Sequence, residues 1–134
     1  MVAVLHYFLI LIPMLLIDVC WLFFAGPSFY KPLLDHLMAS SMSIYPAVLF
    51  YALYALGILI LIINPGRQLG MSAVEIVARG AFLGLVAYGA YDLTNQATLR
   101  DWPVVVTIVD MAWGACVTAL STAIGLMLIR YFNR

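Results

Sequence analysis

The sequence predicts an all-α integral membrane protein: four transmembrane helices in a compact bundle, with both termini cytoplasmic. Three observations predict it. Apolar residues make up 66% and charged residues 9% of the 134 residues, against roughly 45–50% and about 25% in an ordinary soluble chain. Mean hydropathy is +1.11. Four segments each supply the roughly 20 mostly apolar residues that a bilayer crossing needs. Six acidic and six basic side chains could not cover the surface of a soluble domain of this length. The same composition excludes a disordered chain, a disulfide scaffold and a nucleic-acid binder. Net charge is zero, so bulk charge selects no partner.

The whole chain, 1–134, reads as one transmembrane domain. The first span is expected over about residues 2–25, ended by Gly26-Pro27 and Pro32. Pro13 lies inside it, as membrane helices tolerate. It reads as a retained helix, not a cleaved signal peptide: no basic region precedes it, Asp18 interrupts it, and Phe23 takes the −3 place of a cut after Ala25. A short interfacial helix is expected over about 32–42, with Leu33, Leu34, Leu37 and Met38 towards lipid. The second span is expected over about 45–63, closed by the turn signal Asn64-Pro65-Gly66. The third covers about 72–93, with Glu75 and Arg79 spaced as a helical pair. The fourth covers about 103–129 and opens on Trp102-Pro103, a proline suited to a first helical turn. Arg67, Arg79, Arg130 and Arg134 fall on the side of the termini, Lys31 and Arg100 on the other, which places both termini in the cytoplasm. Cys20 and Cys116 differ in depth and are expected as free, buried thiols.

Asp18, Asp92 and Asp110 fall inside spans, where a charge is costly and usually marks function. At about 1.5 Å per residue, each lies roughly 8–12 Å from the middle of its span, and all three on the outer side. Two of them repeat a motif. Asp18-Val19-Cys20-Trp21 matches Asp110-Met111-Ala112-Trp113, and the i,i+3 spacing sets acid and indole on one face. The third span adds Tyr88, Tyr91, Asp92 and Asn95, continued along the helix by Gly80 and Gly84. The fourth continues as Gly114, Thr118, Ser121 and Gly125, small residues that let helices approach closely. The second contributes Tyr51 and Tyr54. The expected result is a bundle tight at its cytoplasmic half that opens outward into an acidic, aromatic pocket. Its candidate ligand residues are Asp18, Trp21, Tyr51, Tyr54, Tyr88, Tyr91, Asp92, Asn95, Asp110 and Trp113. Asp92, with the most polar neighbours, is its expected centre. The plainer reading is that the acids bond indoles and phenols and only hold the helices together.

His6 and His36 lie far from this layer, so no catalytic triad or histidine metal site is predicted, and no metal or cofactor is assigned. No phosphate-binding glycine loop occurs.

The runs Asp18-Val19-Cys20-Trp21-Leu22 and Tyr91-Asp92-Leu93-Thr94-Asn95 through Trp102-Pro103 resemble a bacterial membrane family, domain of unknown function 2177 (DUF2177). Phe50 to Gly57, Arg79 to Gly84 and Val109 to Gly114 extend the similarity over nearly the whole chain. The resemblance implies a small four-helix inner-membrane protein and carries no assigned activity or catalytic residues. Gln96 departs from the family's usual apolar residue.

Three functions compete. One is binding or transport of a cation or small polar molecule, with a homodimer expected because four spans are few for alternating access. The second is a membrane enzyme that acts on a lipid or isoprenoid by carboxylate acid–base chemistry. The third is a structural or accessory subunit. Membrane lipids are partners in all three, and the bacterial inner membrane is the expected location.

Overall fold

The computed structural model describes residues 2–133; Arg134, one of the residues in the charge bias, lies outside them. Four helices are long and apolar enough to cross a membrane: α1 (Val2–Leu37), α2 (Ile44–Gln68), α3 (Ala73–Thr98) and α4 (Val104–Phe132). They run up and down in turn, and a hydrogen bond between His6 and Asn133 ties the two chain ends together at one end of the bundle. The expected all-α fold of four spans is the observed one.

Three expected ends differ: α3 runs to Thr98 instead of about 93, and α1 and α2 pass their proline signals, although regular α-helical geometry in the first span does end at Ala25. The first helix does not stop at Gly26-Pro27. It continues to Leu37 through a wide π-helical stretch, Gly26–Tyr30, closed by the Lys31 N–H on the Gly26 carbonyl. Proline brings no N–H and crowds the carbonyl four residues back. A turn with i→i+5 bonding lets the chain keep its direction past it. The expected helix over 32–42 is therefore the tail of α1, and from Met38 to Ser43 the chain is irregular. The same device carries α2 past Pro65. A π-helical stretch, Ile58–Ile63, ends with the Asn64 N–H on the Leu59 carbonyl, and the helix runs on to Gln68. What stops α2 is Gly70, at φ 66°. The Gly70 N–H bonds the Arg67 carbonyl and the Met71 N–H bonds the Gly66 carbonyl, the double closure of a glycine C-terminus. α3 then starts on a capping box. Ser72 Oγ accepts from the Glu75 N–H at 3.2 Å, and Glu75 accepts from the Ser72 N–H at 2.8 Å.

α3 and α4 form the closest pair, α1 packs on α4, and the Ile58–Ile63 stretch of α2 meets α1, α3 and α4. In lipid, helices gain little from hiding apolar surface, so close fit has to hold them. The glycine ladder supplies it. A methyl group at Gly84 would strike the Gly114 carbonyl and Thr118, and one at Gly80 would strike Thr122. At the end that carries the termini, Ile10, Met14, Ile58, Ile63, Ile76 and Ile129 form a buried core. Outward side chains are apolar: Phe23 and Phe24 are 75% and 72% exposed. Cys20 and Cys116 are free, as expected, but exposed on the outer faces instead of buried. Their helices turn the acid-and-glycine faces inward, which leaves these thiols outside.

Candidate functional site

At the end opposite the termini the bundle opens around the acids. Asp18 is 6% exposed. Each of its oxygens accepts one hydrogen bond, from Trp113 Nε1 at 2.8 Å and from Tyr51 Oη at 2.5 Å. Asp110 accepts from the Tyr30 hydroxyl, which itself accepts from Trp21 Nε1 at 3.0 Å. The two Asp-x-x-Trp motifs thus pair crosswise. The indole of α4 serves the acid of α1, and the indole of α1 serves the acid of α4 through Tyr30. Between them Trp21 and Trp113 stack in parallel, centroids 4.3 Å apart and planes 10° apart. Antiparallel helices with the same i,i+3 motif at the same depth produce this arrangement.

Asp92 differs. It is fully buried, and neither carboxylate oxygen has a hydrogen-bond partner. The α3–α4 register that sets Gly80 on Thr122, Gly84 on Thr118 and Tyr88 on Gly114 brings Asp92 opposite Asp110, and two ionised carboxylates offer each other no donor. The three acids therefore form a pair, Asp92 and Asp110, with Asp18 apart. Among the described residues no three His, Cys, Asp or Glu side chains converge to hold one metal ion. α1 turns Asp18 towards Trp113 and Tyr51.

A cavity of about 570 Å³ opens beside these groups, walled by Asp18, Asp110, Trp21, Trp113, Tyr88 and Tyr91, among others. Trp102 closes it from the loop before α4; its indole N–H bonds Thr107 at 3.0 Å and its ring meets Tyr91 edge-on at 6.0 Å. All three tryptophans of the chain thus line one cavity. A second cavity of about 310 Å³, between α2 and α3, shares Tyr88, Tyr91 and Asp110 with the first and adds Phe50 and Tyr54. Tyr54 bonds Thr118 at 2.8 Å; Thr118 gives its own proton to the Gly114 carbonyl, so Tyr54 is the donor.

Of the residues named from sequence, Asp18, Trp21, Tyr88, Tyr91, Asp110 and Trp113 line the larger cavity. Tyr54 lines the smaller, and Tyr51 reaches Asp18 from outside both. Asp92 and Asn95 line neither. Sequence reasoning missed Tyr30, Lys31 and Trp102 as wall residues. Tyr30 and Lys31 fell in an expected loop because Gly26-Pro27 reads as a stop. The missed signal is the i+4 series Asp18, Leu22, Gly26, Tyr30, which continues one face past the proline.

The family described as predicted membrane protein (DUF2177) matches residues 3–127, so it covers the four helices almost entirely. The chain belongs to the DUF2177 family. The resemblance seen in the Asp-x-x-Trp and Tyr-Asp-Leu-Thr-Asn runs is thereby established, and with it a multi-pass membrane protein with four potential spans. No curated protein and no solved structure matches the chain. Within this DUF2177 chain the matched region contains both cavities and every acid of the site.

Proposed function

We propose that this protein binds a small organic cation in the larger cavity, as a multi-pass protein of the bacterial inner membrane with both termini cytoplasmic and the cavity facing outward. The observation that carries the reading is the wall itself: two carboxylates, Asp18 and Asp110, and all three tryptophans around about 570 Å³. Carboxylates inside a membrane attract positive charge where little water competes. An aromatic face beside them adds roughly 0.5–2 kcal/mol of cation–π attraction. Lys31 at the rim is the one basic wall residue among those described, and it leaves the acids in excess. Transport by four spans calls for a second copy, so a homodimer belongs to this reading.

The placement of every tryptophan at the cavity provides the test. Tetraethylammonium and benzylammonium, titrated into the purified protein in nanodiscs, should change the intrinsic tryptophan fluorescence and saturate. No saturable change with either probe would remove the reading.

A lipid-directed enzyme is the second reading, favoured by Leu22, Leu34, Met38 and Met42, which give the cavity an apolar wall, and by the adjoining acid pair. There, Asp110→Asn should abolish turnover while lipid still binds, because apolar burial holds the substrate.

A further inference from the structure

We infer that Asp92 and Asp110 hold one proton between them and that an organic cation entering the cavity displaces it, so that binding exchanges one cation for one proton. The inference rests on the reading of the cavity above. Three observations carry it. Asp18 has a donor on each oxygen, which suits an ionised carboxylate. Asp110 has one donor, Tyr30. Asp92 is 0% exposed, has no donor among the described residues, and lies opposite Asp110 across the α3–α4 seam. A proton on either acid turns that contact from a repulsion into an O–H···O bond and gives Asp92 the partner it lacks.

Among the described residues no other group is bonded to Asp92. α1 presents Tyr30 and Asp18, α2 presents Tyr51 and Tyr54 to Asp18 and Thr118, α3 presents Tyr88 and Tyr91, and α4 presents Trp113. None of these is a cation; Lys31, the one basic residue of the cavity wall among those described, is exposed. Charge then balances. With its proton the pair carries one negative charge. With the proton gone and a monovalent cation beside Asp110, pair and cation together carry the same. The low-dielectric interior therefore sees no change in net charge, the least costly way to load a buried site. Asp92 lines neither cavity and Asp110 lines both, so the proton leaves by way of Asp110.

The test uses the full chain in nanodiscs, weakly buffered, with a pH-indicator dye and tetraethylammonium as probe. Close to one proton should be released per cation bound. Affinity read from tryptophan fluorescence should fall about tenfold per unit of pH lowered, over the range in which the pair keeps its proton. The infrared carbonyl band of a protonated carboxylic acid should be present without the probe and vanish at saturation. Asp92→Asn should remove that band, the proton release and the pH dependence together. If the variant does not fold, the wild-type proton count decides alone. Binding that releases no proton and has a flat pH profile overturns the exchange and leaves the cavity reading standing. Failure of both tetraethylammonium and benzylammonium to bind overturns both.

Discussion

Asp18 and Asp110 are each held by a tyrosine hydroxyl and, directly or through that hydroxyl, by an indole N–H from the other helix. A carboxylate in an apolar interior depends on such donors, since water cannot replace them. Tyr51→Phe takes one of the two donors from Asp18. It should cost roughly 1–3 kcal/mol, read as a lower midpoint in thermal unfolding in detergent. For binding, the order of effects follows the wall. Asp110→Asn should weaken tetraethylammonium binding more than Asp92→Asn, because Asp110 lines both cavities and Asp92 neither. Trp21→Ala should cost no more than about 2 kcal/mol of affinity. Equal effects of the two Asn variants would mean that the ligand sits elsewhere. Unchanged stability, ligand response and cellular phenotype in the Asn variants of all three acids would leave the helix-holding role alone.

Between elements, the α3–α4 seam depends on backbone approach. A Cβ at Gly84 would meet the Gly114 carbonyl, main-chain atoms that cannot rotate aside, whereas one at Gly57 meets nothing within 4 Å. Gly84→Ala should therefore destabilise by roughly 1–3 kcal/mol, while Gly57→Ala should be neutral or slightly stabilising from better helix propensity. Unfolding in mixed micelles compares the two. The π-helical stretches are the second device at this scale. The stretch at Gly26–Tyr30 keeps α1 continuous past Pro27 and brings Tyr30 onto Asp110. Pro27→Ala removes the reason for the wide turn. Tightening it by one residue would rotate Tyr30 by about 100° away from the acid. The expected readout is a shift in Trp21 fluorescence, since Trp21 donates to Tyr30.

For the whole molecule, the bundle is closed by its isoleucine core at the end of the termini and open at the acid end. A cavity of this polarity is useful only if it faces water on a defined side. In a background without Cys20 and Cys116, both exposed, a cysteine at Ser41 should react with membrane-impermeant thiol reagents added outside. One at Gln68 should resist them. The opposite pattern would turn the cavity to the cytoplasm.

Depth and class were legible in the sequence because a bilayer admits few solutions. Twenty apolar residues in lipid must satisfy their own backbone, and only a helix does so within one segment. Counting along such helices placed Asp18, Asp92 and Asp110 at one level, and the repeated Asp-x-x-Trp motif set an acid and an indole on one face of α1 and of α4. The Ser72-Ala-Val-Glu75 cap is a local pattern too, with Glu75 turned back to Ser72. Rotation about each helix axis was not legible, because it is set by which small residues meet across a seam. That rotation withdrew Asp92 from the cavity, turned Cys20 and Cys116 outward and gave Asp18 to Trp113. The π-helical turns were equally hidden: proline and glycine read locally as a stop, and only the packed bundle made continuing past them, with Tyr30 bonded to Asp110, the better arrangement.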